Sequence, residues 1–266
     1  MKNDKIYKIT EQKLYFLNYS KHTVSIYLHY IKEFLHSCNE NIQRVNASDF
    51  QTYIDNYKFT SVSQQNQVIS AIKFLYNHGL DKKYDKVKFN RPRNEKKLPQ
   101  IIDSQELKTS IAKIQNLKHK AIISLAYSVG LRVSEVINLK IEDIDSKRMI
   151  IHIKNGKGRK DRIVPLSPNI LELLRSYFKE YRPEEYLFNG QKSLQYSSGS
   201  CNQIVKKYIK PDCHFHLLRH SCFTHLIENG TDCRVIQKIA GHSNINTTER
   251  YMQVTTNVLS KVKLPI

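Results

Sequence analysis

Four short segments of the chain carry cationic, imidazole and phenolic side chains that the packing of a core does not require. They are 130–135 (GLRVSE), 154–162 (KNGKGRKDR), 216–220 (HLLRH) and 241–251. Two guanidiniums can hold the non-bridging oxygens of a phosphodiester as it becomes pentacoordinate, so that fixed cations stand in place of a metal. The segments therefore favour metal-free phosphoryl chemistry, and the candidate residues are Arg132, Lys157, His216, Arg219, His242 and Tyr251.

Each segment also has an interpretation without catalysis. Arg132 and Glu135 are three residues apart where one helix ends and another begins, and they could form a surface ion pair of at most ~1 kcal/mol. The charged run could be a solvated turn, although the glycines beside Lys157 would let it carry an ammonium into a groove. Tyr251 taken alone fits a core or interface position. Only the combination favours an active site.

A metal or nucleotide cofactor is not expected. His216, His220 and His225 could suggest a helical metal site, but Leu217 stands where zinc hydrolases of that type place a glutamate. The chain has no glycine-rich nucleotide motif and no cluster of carboxylates for Mg²⁺. Its five cysteines are widely spaced with no CxxC pair, which argues against disulfides and structural zinc and fits a reducing cytosol.

The charge of the chain predicts a polyanionic partner. The 266 residues include 43 Lys and Arg against 24 Asp and Glu, a formal net charge of +19. Such an excess suits nucleic acid or an anionic membrane surface. No apolar run approaches the ~18 residues that span a bilayer, and the N-terminus lacks the apolar core of a signal peptide. We therefore expect a cytoplasmic protein with no membrane association.

The elements that must position these residues form two predicted domains. Residues 1–88 are predicted to be helical, because apolar residues from Val24 to Leu35 recur on one helix face. Gly79 stands where a left-handed helix cap is expected. Residues 89–100 are predicted to form a basic linker, which is either simply solvated or lies on a phosphate backbone.

Residues 101–266 are predicted to form a second, larger domain. Asp103 resembles a helix N-cap, and Ser167 followed by proline predicts another helix start. Two short apolar runs, 149–153 and 163–166, flank an Asn-Gly turn and predict a β-hairpin. The predicted fold class is therefore mainly α with a small antiparallel β-sheet.

The four segments resemble those of tyrosine recombinases of the phage integrase and Xer type. The motifs are GLRVSE around Arg132, GKG followed by KDRIVPL around Lys157, HLLRHSCFTHLIENG, and IAGHSNINTTERY ending at Tyr251. The order and spacing of the motifs resemble those of that family, with 84 residues from Arg132 to His216 and 32 from Arg219 to Tyr251. The one departure is Ala240, where the family often has leucine at a packing position.

The resemblance implies a mechanism and a role for each residue. Tyr251 would attack the scissile phosphate to form a 3′-phosphotyrosine, with His216 as the base and Lys157 as the acid for the departing 5′-oxygen. Arg132 and Arg219 would stabilise the phosphorane, His242 would bind the phosphate, and Glu135 would orient the groups that touch it. No metal, ATP or other cofactor would be needed.

The resemblance also implies partners and an architecture. The first domain would be a SAM-like core-binding domain that closes on double-stranded DNA with the catalytic domain as a two-domain clamp. Four copies would form a synapse, and the tail 255–266 would dock on a neighbouring copy, unless it packs on its own domain. Gln64, Gln65, Asn66 and Gln67 are candidates for reading bases. An accessory recombinase or a directionality factor could take part.

Two other functions fit part of the pattern. A type IB topoisomerase would share the nucleophile and its cations but would relax supercoils instead of exchanging strands. A DNA-binding regulator could keep the fold without the chemistry, although six filled catalytic positions argue against it.

Overall fold

The structure is a computed structural model, in which the chain divides into two compact units, residues 1–96 and 97–266. The described residues are 2–38, 45, 47–81, 91–92, 100–154, 161–191, 193–242 and 244–252. The side chains of Lys2, Ala47, Asn246, Arg250 and Met252 are not described within these ranges. Most of the predicted linker 89–100, Lys157 and the tail 255–266 therefore lie outside the described residues.

The first unit is built from helices, as its apolar pattern predicts. They are α1 (Lys2–Phe16), α2 (Lys21–Ser37), α3 (Ala47–Asn56) and α4 (Val62–Phe74), which continues into a π-helical turn, Leu75–Gly79. Phe34 stacks on Phe50 with ring centroids 4.7 Å apart, and Tyr76 packs edge-on against Phe50 at 5.0 Å. Aromatic contacts between α2, α3 and the π-helical turn therefore help to stabilise this unit.

The prediction of a left-handed cap at Gly79 is wrong. The glycines with positive φ in the described chain are Gly130, Gly230 and Gly241. Gly79 instead ends the π-helical turn against α1, where an added Cβ would clash with the Thr10 hydroxyl and would lie 2.7 Å from Leu75 Cδ1. Close helix packing, and not backbone conformation, requires the glycine there.

The second unit is mainly helical with one small sheet. It contains α5 (Ser104–Ala112), α6 (Leu117–Val129), α7 (Val133–Asn138), a 3₁₀ turn (Ile141–Asp143), β1 (Ile144–Asp145), β2 (Ile150–Ile153), β3 (Arg162–Pro165), α8 (Pro168–Tyr181), α9 (Ser198–Tyr208), α10 (Phe215–Glu228), α11 (Cys233–Ala240) and α12 (Asn246–Met252). The predicted caps are present, because Asp103 accepts from the N–H of Glu106 and Ser167 accepts from that of Ile170.

The sheet is antiparallel in the order β1-β2-β3. Ile151 pairs with Ile144 on one side and with Val164 on the other. The hairpin of β2 and β3 agrees with the prediction, whereas the two-residue strand β1 is too short to show an alternating pattern. The fold class, mainly α with a small antiparallel sheet, is confirmed.

Helix α10 lies at the centre of the second unit and is buried along most of its length. It packs against α6, α9, α11 and α12. The residues that face it include Gly130 at the end of α6 and Tyr251 in α12. This packing brings segments that are far apart in the sequence to one side of α10.

Candidate active site

Glu135 lies at the centre of the predicted site and binds two arginines. Its carboxylate accepts from Arg132 Nη1 at 2.7 Å and from the Arg132 backbone N–H at 2.8 Å. It also accepts two parallel hydrogen bonds from Arg162, at 2.7 and 2.8 Å. The Glu135 side chain is 3% exposed and that of Arg132 is 17% exposed, so this is not the surface ion pair considered above.

These contacts stabilise the ionised form of the Glu135 carboxyl group. Burial alone would raise its pKa, but the hydrogen bonds and positive charges of Arg162 and Arg132 outweigh burial and lower the pKa to about 2. Arg219 Nη1 lies 3.9 Å from the same carboxylate. The guanidiniums of three arginines thus lie within 4 Å of one carboxylate.

Arg219 is fixed in the interior by the ends of two helices. Its side chain is 1% exposed, and it donates from Nη1 to the carbonyl of Gly130 and from Nη2 to that of Ala240. These carbonyls end α6 and α11, where the helix dipole is negative and favours a cation. Burial, followed by repulsion from Arg132, lowers the Arg219 pKa to about 10, so the group stays charged at neutral pH.

His242 contacts both Arg219 and Thr248. Its Nε2 lies 3.1 Å from Arg219 Nη2, and its Nδ1 lies 2.9 Å from the Thr248 hydroxyl. Because a guanidinium only donates, Nε2 accepts and the ring proton lies on Nδ1. In the free protein Nε2 is therefore turned toward the arginine.

Tyr251 is buried at the same place. It is 4% exposed, and its ring contacts Phe223 at 5.4 Å and stacks with His242 at 6.3 Å between centroids. Arg219 lies over the same Phe223 ring, 4.7 Å from its centroid. Burial raises the Tyr251 pKa, although the charges of Arg219 and Arg132 oppose that rise. The phenol is therefore protonated at neutral pH.

The histidines of α10 complete the cluster. His216 packs edge-on against His220 with ring centroids 4.5 Å apart, and His220 Nδ1 lies 3.2 Å from the Tyr251 hydroxyl oxygen. His225, considered above as a metal ligand, instead contacts the Tyr127 hydroxyl at 2.7 Å. Among the residues that the structure describes, no group of three His, Cys, Asp or Glu is placed to hold a metal ion.

Of the predicted catalytic residues, five fall among the described residues. Arg132, Arg219, His216, His242 and Tyr251 are brought together by shared neighbours, while Lys157 lies outside the described residues. Glu135 contacts Arg132 and Arg162, and its orienting role stays a prediction.

Sequence reasoning misses the contact of Arg162. The sequence presents this residue only as part of the charged run, although it opens the second strand of the hairpin. Its Nε donates to the carbonyl of Ile239 at 2.7 Å, which ties β3 to the end of α11 as well as to Glu135. Gly241 has φ +63°, and a Cβ there would lie 2.9 Å from Arg162 Cδ, so the glycine makes room for this arginine.

The candidates for base reading have local contacts. The Gln64 side chain accepts from the backbone N–H of Thr60 at 2.7 Å, beside the N-cap Ser61 of α4, and Arg91 donates to Asn66 at 3.3 Å. Gln64 therefore has a structural reason to be present. Base reading by these residues stays a prediction.

Replacing Glu135 by glutamine is expected to destabilise the second unit by about 3 kcal/mol at pH 7, because the guanidiniums lose their buried counter-charge. A lowered pKa gives stability that is complete above the unfolded value near 4.5 and is lost as the pH falls toward about 2. The difference in free energy of unfolding between wild type and Glu135→Gln should therefore become smaller below pH 4.5. Urea unfolding followed by circular dichroism measures it, with the exposed Glu172→Gln as control. Equal stabilities at pH 7 would contradict the expectation.

Comparisons with known proteins show the class to which the chain belongs. Its homologues and structural neighbours indicate a site-specific recombinase. Residues 94–257 match the phage integrase family, and residues 6–86 match the phage integrase N-terminal SAM-like domain. The chain belongs to the phage integrase family, and it is a site-specific tyrosine recombinase.

Individual proteins are similar over most of the chain. Tyrosine recombinase XerA of Pyrococcus horikoshii is 35% identical over 250 residues, which are 90% of this chain and 86% of that protein. A tyrosine recombinase of Thermosipho africanus is 30% identical over 254 residues, covering 89% and 90%. A crystal structure of XerA recombinase superposes with a TM-score of 0.57 at 26% identity, covering 97% of this chain and 96% of that one.

A second solved structure shows the fold alone. It is XerH site-specific recombinase bound to palindromic difH substrate, with a TM-score of 0.72 at 20% identity, covering 90% of this chain and 78% of that one. No helix in the described part of this chain is long and apolar enough to cross a membrane.

Proposed function

We propose that the chain recombines DNA through a 3′-phosphotyrosine intermediate, without metal or ATP. The observation that carries this proposal is the meeting of Tyr251, Arg219 and His242 around shared neighbours. Glu135 supplies one negative charge near the three guanidiniums of Arg132, Arg162 and Arg219, which leaves an excess of two positive charges. That excess suits a phosphodiester in its more highly charged transition state.

The roles of the residues follow the chemistry of phosphoryl transfer. Tyr251 Oη attacks phosphorus, and the P–O5′ bond breaks as Lys157 gives a proton to O5′. Arg132 and Arg219 stabilise the charge of the phosphorane. His242 hydrogen-bonds the phosphate once its Nε2 is released from Arg219, and His216 lies beside the phosphate, where the resemblance makes it the base.

The partners are proposed from the charge and from the relatives. XerH is bound to its palindromic difH substrate in the solved structure, and the net charge of +19 favours double-stranded DNA for this chain. We propose a tetramer of two dimers in a synapse, with the two units closing on DNA in the cytoplasm and the tail 255–266 docked on a neighbouring copy. Truncation after Val254 that left synapsis intact would exclude that role for the tail.

Trapping of the covalent intermediate tests the function. DNA sites selected by the protein from a random pool are synthesised with a nick beside the scissile phosphate, so that the released fragment diffuses away. Wild type should form a protein–DNA adduct that survives denaturation, and good binding without an adduct at any selected site would exclude the mechanism. Relaxation of supercoiled DNA without recombinant products would favour a type IB topoisomerase.

Binding to DNA is expected to depend steeply on salt. Each phosphate that a lysine or arginine neutralises releases a counterion, so contact with ~6–10 phosphates should reduce affinity by roughly 10³–10⁵ between 50 and 200 mM salt. Fluorescence anisotropy with a selected duplex measures the slope of log Kd against log salt concentration. A slope near zero would contradict an electrostatic DNA interface.

A further inference from the structure

The hydroxyl of Tyr251 lies against His220, a residue to which the resemblance gives no role. Helix α10 carries His216, Arg219 and His220, and His216 precedes the other two by three and four residues, so its side chain neighbours both of them on the helix surface. His220 Nδ1 is 3.2 Å from Tyr251 Oη, and the ring centroids are 5.5 Å apart. His216 also packs against the His220 ring. The nucleophile is thus within hydrogen-bond reach of one particular imidazole.

The direction of this hydrogen bond depends on the protonation states of both groups and on the tautomer of His220. The Tyr251 phenol is protonated at neutral pH because burial raises its pKa. Burial lowers the His220 pKa to about 4, and the nearby charges of His214 and Arg219 contribute to that fall, so its ring is neutral at pH 7. A neutral imidazole with its proton on Nε2 accepts at Nδ1. In that tautomer the phenol donates to His220, and its oxygen also interacts with Arg219.

We propose that His220 is a catalytic residue that accepts the phenolic proton of Tyr251 during strand cleavage. The proposal rests on the proposed function and changes one role in it, because the base becomes His220 in place of His216. As the Oη–P bond forms, the phenolic proton moves to His220 Nδ1, the P–O5′ bond breaks with its electron pair, and O5′ takes a proton from Lys157. In the reverse step the 5′-hydroxyl attacks phosphorus and gives its proton to Lys157, the Oη–P bond breaks, and Nδ1 returns the proton to Tyr251 Oη. His216 is then left to bind the phosphate.

A base that is weak in the free protein is suited to this step. The groups around His220 are His214, His216 and Arg219 of its own helix and its N-cap, and Tyr251 of α12. An anionic phosphate bound beside these groups favours the imidazolium and raises the affinity of Nδ1 for a proton. The proton acceptor therefore becomes stronger when the substrate is bound, as general base catalysis requires.

The test compares His220→Asn with wild type in single-turnover cleavage of the nicked site between pH 6 and 9. Asparagine keeps a hydrogen-bond acceptor near the position of Nδ1 but does not take up a proton. We expect a loss of about 10²-fold at pH 7, unchanged Kd for DNA, and a rate that rises about tenfold per pH unit as Tyr251 must ionise unaided. A purely structural role would lower the rate equally at every pH.

His225→Asn is the matched control. His225 lies on the same helix and contacts a tyrosine hydroxyl, that of Tyr127, at 2.7 Å, but its hydrogen bond is not to the nucleophile. Its variant should keep both the rate and the pH profile of wild type. His220→Gln provides a second replacement should the asparagine variant not fold, which thermal unfolding shows directly.

Replacement of Tyr251 by 3,5-difluorotyrosine separates the two histidines. This phenol ionises at lower pH and needs the base less, so it should restore cleavage in His220→Asn much more than in His216→Gln. Strong rescue of His216→Gln instead, or His220 variants with the rate and pH profile of wild type, would overturn the assignment. Failure of wild type itself to form an adduct would reject the proposed function, so the two failures are distinguishable.

Discussion

Tyr251→Phe is expected to abolish the covalent protein–DNA adduct while leaving DNA binding intact. The substitution removes one oxygen from a ring that is 4% exposed, and the ring keeps its contacts with Phe223 and His242. Loss of a nucleophile typically removes almost all of the chemical rate, so we expect a fall of about 10⁴-fold or more. Denaturing electrophoresis of the nicked-site reaction measures the adduct, and anisotropy measures binding.

Tyr127→Phe is the control for this expectation. The Tyr127 hydroxyl also shares a hydrogen bond with a histidine of α10, and its ring packs against the same apolar cluster as Tyr251. Its variant should form the adduct at close to the wild-type rate. Recombination by Tyr251→Phe would mean that another group attacks the phosphate, or that the chain acts as a DNA-binding regulator beside another recombinase.

Arg219→Lys is expected to slow cleavage by about 10²–10³-fold with little change in Kd for DNA. Arginine at this position binds the carbonyls of Gly130 and Ala240 and also contacts His242 through Nη2. A lysine ammonium is a compact charge that does not keep both carbonyls and also reach a phosphate oxygen. Removal of one hydrogen-bond donor to the transition state typically lowers the rate by about 10²–10³-fold. Single-turnover cleavage at saturating protein measures the effect.

A methylphosphonate at the scissile position tests whether the loss is electrostatic. This linkage lacks one anionic oxygen, so a lost contact with that oxygen should matter much less, and the cleavage rate of Arg219→Lys should approach that of wild type on this substrate. A defect of equal size on both linkages would contradict the assignment and indicate misfolding of the site. The exposed Arg175→Lys on α8 is the control and should match wild type on both substrates.

Much of the fold is predictable because its signals are local. The caps at Asp103 and Ser167, the apolar stripe of α2 and the hairpin strands each depend on residues close together in the sequence. The expectation for Gly79 is wrong because the requirement for glycine comes from α1, which is distant along the chain. A glycine beside a helix end does not reveal whether backbone conformation or close packing needs it.

The members of the site are predictable from motifs, but their contacts are not. The spacing of His216 and Arg219 indicates a shared helix face, yet it does not show that Arg219 is bonded to the ends of two other helices. Arg162 and His220 stand inside the quoted motifs, and only the packing of α10 against α12 and of β3 against α11 shows what they touch. Such long-range pairs have no signature in a single sequence.

The double attachment of Arg132 to Glu135 has a thermodynamic consequence. Backbone and guanidinium bind the same carboxylate, so the rotamers of this long side chain are restricted before any DNA arrives. The ordering entropy, up to about 2 kcal/mol for an arginine, is therefore lost during folding and not during substrate association or the chemical step. Without Glu135, the Arg132 side chain would have to be ordered in every reaction cycle, and cleavage would be slower. In the folded protein this ordering is complete before DNA binds.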